Sequence, residues 1–272
     1  FVRGRRVHTL KGRELAAGRV NRRAVEDVHG AAEELEVHYQ EASGLAPIVR
    51  MRLYQSRPFA LFRISVTNVG PDTVKRRMAF ETPSRGFEAS SEPTGVYVNG
   101  WQSWSPTGFV PRGARQYRVP FLLRWLLGMM VQNGRAPKSL SPDRFWSETV
   151  GAVVTPDEAL IGGATSLADQ FVQMVVDLRS GRESIKLQAQ MDDLPLAVGA
   201  SSRSEWFYLE WVPLPNRDPF AQYAYAVARQ MKVEDVTDPP TGWCSWYAYG
   251  NRVRESALMA YAAARTISAT TR

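Results

Sequence analysis

Ten consecutive residues, Thr241–Gly250, constrain this chain more than any other stretch; they read Thr-Gly-Trp-Cys-Ser-Trp-Tyr-Ala-Tyr-Gly. Four bulky aromatics, Trp243, Trp246, Tyr247 and Tyr249, crowd together there, after Pro239-Pro240 and before a glycine. Proline and glycine punctuate segment boundaries, and aromatic residues favour strands, so Trp243–Tyr247 is expected as a short strand. Alternation puts Trp243, Ser245 and Tyr247 on one face and Cys244 and Trp246 on the other. Both faces are substantially apolar, as in a strand covered on both sides within a parallel sheet, so Cys244 is expected to be small and buried. Val253, Ala257, Tyr261 and Ala264 then recur at helical spacing, which predicts a helix over Val253–Thr266. Strand followed by helix is one βα unit.

The chain before this point has a different grammar. Strands are expected over Leu35–Gln40, Pro47–Gln55, Phe59–Val69, Val74–Glu81 and Gly95–Val98, and later over Glu148–Thr155, Ala159–Gly163, Gln170–Leu178, Glu183–Met191 and Ser204–Val212. Phe59–Val69 has the clearest period of two, with Phe62, Ile64 and Val66 facing inward. Turn residues separate these runs, notably Asn68-Val-Gly-Pro-Asp72 and Arg179-Ser-Gly181. Short strands joined by turns predict an antiparallel sandwich, with two packed sheets up to about residue 215. Asp218-Pro219 is read as the N-cap and first position of a linking helix near 219–232, whose apolar face carries Phe220, Tyr223, Val227 and Met231. The fold class is therefore mainly β. A large antiparallel sandwich domain is expected over residues 1–235, and a first βα unit over 236–272.

Composition removes several function classes. Hydrophobic residues make up 44% of the chain, enough for a packed core. The single cysteine, Cys244, allows no internal disulfide. His8, His29 and His38 all fall near the amino terminus at no metal-ligand spacing, so no metal site and no cofactor are expected. The net charge is +7, and basic residues concentrate in Phe1–Arg23. That stretch is read as a solvated strand face, since no nucleic-acid motif accompanies it. Phe121–Met130 is the most apolar run, but it is ten residues long and contains Arg124, too short for a membrane span. It is read as a helix packed on the sandwich, with a lid or an oligomer contact as alternatives. Asp192-Asp193, the adjacent carboxylates in the sheet region, are read as a hairpin turn rather than a catalytic pair. No signal peptide is visible, so a cytoplasmic location is expected. The lack of a start methionine suggests an upstream start and leaves export undecided.

Two Trp-dense strings carry a resemblance. Pro-Thr-Gly-Trp-Cys-Ser-Trp-Tyr at 240–247 resembles the first barrel strand of the α-galactosidases of glycoside hydrolase family 36. Asn99-Gly-Trp-Gln-Ser-Trp-Ser105 resembles the hallmark of that family's amino-terminal sandwich. The resemblance implies a β-sandwich followed by a (β/α)8 barrel, and a retaining hydrolase of terminal α-linked galactose that uses two aspartates. Those aspartates belong to later barrel strands, so no catalytic residue is expected in this chain, and the piece is expected to be inactive alone. What the resemblance carries over is a substrate wall: Trp104 from the sandwich loop, and Trp246 and Tyr247 from the first strand. Trp101 is read as holding the loop. One face of galactose is a patch of C–H bonds that a flat aromatic ring covers while polar groups bind the hydroxyls. The expected partner is an α-galactoside, with neither nucleic acid nor membrane; a homo-oligomer is left open. Two other readings stand beside it. One is a carbohydrate-binding or purely structural sandwich; the other is a sister activity, galactosyl transfer or removal of α-linked N-acetylgalactosamine.

Overall fold

The computed structural model describes residues 16–75, 78–81, 89–102, 104–117, 119, 133–137, 140–233, 244, 246 and 249–269. The chain divides into two compact units, Phe1–Val233 and Glu234–Arg272. The apolar run Phe121–Met130 lies outside the described residues.

The first unit opens with β1 (Ala17–Asp27), β2 (Gly30–Tyr39), β3 (Leu45–Tyr54), β4 (Phe59–Asn68), β5 (Val74–Lys75), β6 (Met78–Glu81), β7 (Gly95–Val98) and β8 (Gly108–Pro111). It continues with β9 (Arg144–Glu148), β10 (Val150–Val154), β11 (Glu158–Ala164), β12 (Val172–Asp177), β13 (Ser184–Ala189), β14 (Pro195–Leu196), β15 (Ser201–Arg203), β16 (Phe207–Pro213) and helix α1 (Ala221–Met231). Among the described residues a large sheet runs β1-β2-β3-β4-β16-β11-β10-β7-β8, with β15 also on β4. A second sheet runs β6-β13-β12-β9, and β14 pairs with β5. Every pairing is antiparallel. The two main sheets enclose a core of Val66, Val96, Val98, Phe145, Val153, Met174, Val176, Ile185, Leu187 and Phe207. Phe62 and Ile64 pack against this core beside Val66, so the expected inward face of β4 is the inward face.

The large sheet is also covered on its other face. Phe59 and Leu61 of β4 join Ala152, Ile161, Tyr208 and Val212 in a second apolar cluster, which α1 seals with Tyr223 and Ala226. Phe220 and Val227 pack at its margin, whereas Met231 is exposed, so the apolar stripe of α1 is shorter than its sequence pattern. The N-cap is Phe220, with no side-chain cap bond, so Asp218 and Pro219 precede the helix instead of opening it. The backbone carbonyl of Asp218 accepts from the Ala221 amide, and a Lys232 left-handed cap closes the other end. A turn before the helix takes up the residues that read as a helix start.

Two expected strands are each split between sheets. Val74–Glu81 becomes β5 and β6, which pair with different partners. Glu148–Thr155 is mostly β10, but its first residue, Glu148, ends β9 in the other sheet, and Thr149, whose φ is 66°, parts the two. One residue in the left-handed region turns the chain from layer to layer.

The second unit departs from expectation. Its helix α2 (Glu255–Ala269) overlaps the expected one and follows a short 3-10 turn, Gly250–Arg252. The expected strand Trp243–Tyr247 is not found where it is described: Trp246 is helical, and Cys244 is irregular and exposed. A strand buried on both faces takes its hydrogen bonds and burial from flanking strands, and the described residues of this unit contain none. No described helix is long and apolar enough to cross a membrane.

A candidate sugar-facing tryptophan loop

The string Asn99–Ser105 forms the connection between β7 and the edge strand β8, whose backbones pair as a hairpin. Backbone and hydroxyl groups close the loop on itself. The Gln102 amide donates to Ser105 Oγ at 3.0 Å, the Ser105 amide to the Gln102 carbonyl at 2.8 Å, and the Gly100 amide to Thr107 Oγ1 at 2.9 Å. Glycine is needed at 100 because a Cβ there would meet Ser105 Cβ at 2.4 Å. Trp101 turns back onto the body of the sandwich, edge-on to Phe171 with ring centroids 5.2 Å apart. Trp104, on the same loop, has 59% of its surface exposed.

Asn99 pins the loop to the crossing between the two sheets. Its amide donates to Ser147 Oγ at 2.7 Å and its side-chain amide to the Glu148 carbonyl at 2.9 Å. The Glu148 amide returns a bond to the Asn99 carbonyl at 3.0 Å. The Glu148 side chain is buried and accepts from Trp146 Nε1 at 2.6 Å, Gln173 Nε2 at 3.1 Å and Asn133 Nδ2 at 3.3 Å. Three converging donors stabilise an acid taken out of water. Two residues in sequence therefore fix the loop, the edge of β9 and the entry to β10. Sequence reasoning missed Glu148; its alternation with Phe145 and Ser147 was hidden because β9 itself went unread.

What the arrangement can do chemically follows from these positions. An exposed ring on a pinned loop offers a flat apolar surface with little conformational entropy left to lose. Retaining glycoside hydrolysis needs two carboxyl groups roughly 5–5.5 Å apart and open to substrate. The buried acids Glu148 and Glu210 do not meet the second condition. Glu148 is committed to its three donors, and Glu210 lies inside the apolar cluster under α1, bonded to Tyr208 Oη at 2.5 Å. Burial holds the Glu210 carboxyl above the usual carboxylate range and raises the Tyr208 phenol as well. Asp192 and Asp193 both have positive φ in a turn and face Arg135, at 3.6 and 3.2 Å. Among the described residues no cluster of three or more His, Cys, Asp or Glu could hold a metal ion.

The other two expected wall residues belong to the second unit. Trp246 is 57% exposed there. Tyr247 lies outside the described residues.

Comparison with known proteins gives weak structural similarities only. No protein-family model matches the chain, and no curated protein sequence matches it. Among solved structures it is similar to a glycoside hydrolase family 36 α-galactosidase from Geobacillus stearothermophilus in complex with 1-deoxygalactonojirimycin, at TM-score 0.40 and 12% identity. That match covers 67% of this chain and 24% of the galactosidase, so the chain spans about a quarter of that protein's length. A candidate aldose 1-epimerase from Escherichia coli matches at TM-score 0.34 and 18% identity, over 72% of this chain and 69% of its own. A galactose mutarotase related enzyme from Lactobacillus acidophilus matches at TM-score 0.34 and 12% identity, over 66% and 68%.

Proposed function

We propose that this chain is the amino-terminal portion of a retaining α-galactosidase, supplying a sandwich and one aromatic wall of a galactose pocket but neither catalytic aspartate. The observation that carries the reading is Trp104, a large ring left mostly exposed on a loop fastened through Asn99 and Gly100. Apolar surface of that size on a rigid mount suits the C–H face of a pyranose. The resemblance also assigns substrate contact to Trp246, exposed in the second unit, and to Tyr247. Hydrolysis then waits on two carboxyl groups from barrel strands beyond the second unit.

A second reading has its own support. Trp246 is helical where a barrel strand was expected, so a sandwich that binds carbohydrate without hydrolysing it fits the described residues too. One experiment separates them. The chain is titrated with methyl α-galactoside by calorimetry and assayed with a nitrophenyl α-galactoside. Under both readings Trp104→Ala weakens binding and no nitrophenol is released. Adding the polypeptide encoded downstream restores turnover only if the chain is part of a hydrolase. Release of nitrophenol by the chain alone overturns the proposal.

A further inference from the structure

On the large sheet's outer face, at the end away from β8, charged residues form a cross-strand lattice that is almost fully paired. Glu34 is completely buried and accepts from Arg23 at 2.5 Å and Arg52 at 2.7 Å. Arg52 also reaches Asp27 at 2.7 Å, which accepts from Tyr54 Oη at 2.6 Å. Glu36 accepts from Arg50 and His38, each at 2.6 Å. These contacts hold the Glu34 carboxyl below the usual carboxylate range, Arg23 and Arg52 overcoming its burial; His38 and Arg50 do the same for Glu36. Every acid of the lattice is thus already taken.

Arg63 is the exception. It sits on β4 directly opposite Arg50, and like charges facing each other across a ladder destabilise a sheet. Its guanidinium carbon lies 4.3 Å from the centre of the Trp206 ring, and Arg52 stacks on the same ring at 4.4 Å. Arg63 Nε is buried and has no hydrogen-bond partner. Glu205, the acid whose charge favours it, uses Oε1 to accept the Asp169 amide at 2.9 Å. Arg203, across from Ser65 at the start of β4's polar half, adds another cation beside it. Burial chiefly, with the charge of Arg203 after it and Glu205 opposing, pushes Arg63 down to about 10.

A half-buried cation, backed by a ring and flanked by a second, exposed arginine, is arranged for a guest of opposite charge. We infer that Arg63 and Arg203, on the Trp206 platform, bind a compact anion that presents two oxygens to a guanidinium fork: a carboxylate or phosphate, free or carried on a sugar. Arg63 supplies the inner fork, the exposed Arg203 the outer one, and Ser65, within 3.3 Å of Arg50, lies at the same edge. The inference does not depend on Trp104 or on hydrolysis.

The test uses the chain with inorganic phosphate, glucuronate and, as control, sodium chloride at matched ionic strength. The melting temperature is followed against concentration for the parent chain, Arg203→Gln and Arg63→Gln. Phosphate or glucuronate should raise the parent's melting temperature in a saturable way that chloride does not reproduce. Whichever probe acts names the recognised group. Arg203→Gln, altering an exposed residue, should keep the fold and weaken binding at least about tenfold, the loss expected for one charge-assisted contact. Arg63→Gln should abolish the shift; if it does not fold, Arg203→Gln alone decides. No saturable shift with either anion in the parent chain, or an equal shift in Arg203→Gln, overturns the inference.

Discussion

Replacing Trp104 by alanine distinguishes a ring that serves a ligand from one that serves the fold. About two-fifths of Trp104 is covered, its exposure being 59%. On a residue that buries at most about 250 Å², that is roughly 100 Å² removed from water. At about 25 cal/mol per Å² the covered part stabilises by no more than about 2.5 kcal/mol. Alanine retains some of that, and an exposed loop relaxes, so a cost of about 1–2 kcal/mol follows. For a domain of this size that lowers Tm by roughly 2–8 °C, because each kcal/mol shifts it by about 2–4 °C. A fully buried tryptophan would cost about 3–5 kcal/mol instead. In binding, loss of the stacking contact forfeits about 0.5–1.5 kcal/mol beyond area, a fall of roughly 2- to 13-fold in affinity for methyl α-galactoside. Scanning calorimetry and titration calorimetry on the same preparation read both quantities. A Tm drop beyond about 12 °C with unchanged affinity would refute the reasoning, since Trp104 would then be a packing residue.

Other expectations follow from neighbouring contacts. Asn99→Ala removes the donor to the Glu148 carbonyl and should cost about 1–3 kcal/mol, read from a urea midpoint, while weakening galactoside binding through a loosened loop. Asn99→Asp should not rescue it, because a carboxylate cannot donate to that carbonyl. Gly163→Ala would set a Cβ 2.7 Å from the Thr149 carbonyl, a backbone atom that cannot give way, and should destabilise by about 1–3 kcal/mol. An unchanged Tm would mean that the sheet crossing at Thr149 is looser than described. His29, buried beside Asp27, Arg57 and Arg229, has its pKa lowered below 6.5, chiefly by burial. Its neutral form is the one the fold favours, so its contribution is complete above about pH 6.5 and is lost as pH falls from there through the folded value. His29→Phe should flatten urea stability between about pH 6.5 and 5, leaving the further acid loss below about pH 4.5 that Glu34, Glu36 and Asp177 produce as their lowered carboxyls protonate.

The sequence determined what local periodicity can encode. Alternation at Phe62, Ile64 and Val66 marked the inward face of β4, turn residues marked the hairpins, and a helical stripe marked α1. Periodicity does not separate Trp101 from Trp104; the contact that covers Trp101 comes from Phe171, 70 positions away in sequence. Tertiary structure alone decided the rest. Thr149 is an ordinary strand-forming residue; the pairings of β9 with β12 and of β10 with β7 and β11, in different sheets, put it at positive φ between them. Glu34 reads as a solvated charge in a polar strand, yet Arg23 and Arg52 from both neighbours bury it completely. At Trp243–Tyr247 the local signal was strongest and the described structure differs most, with Trp246 helical. Aromatic residues make a strand only when neighbouring strands accept their backbone bonds and cover both faces, and a sequence window contains neither condition.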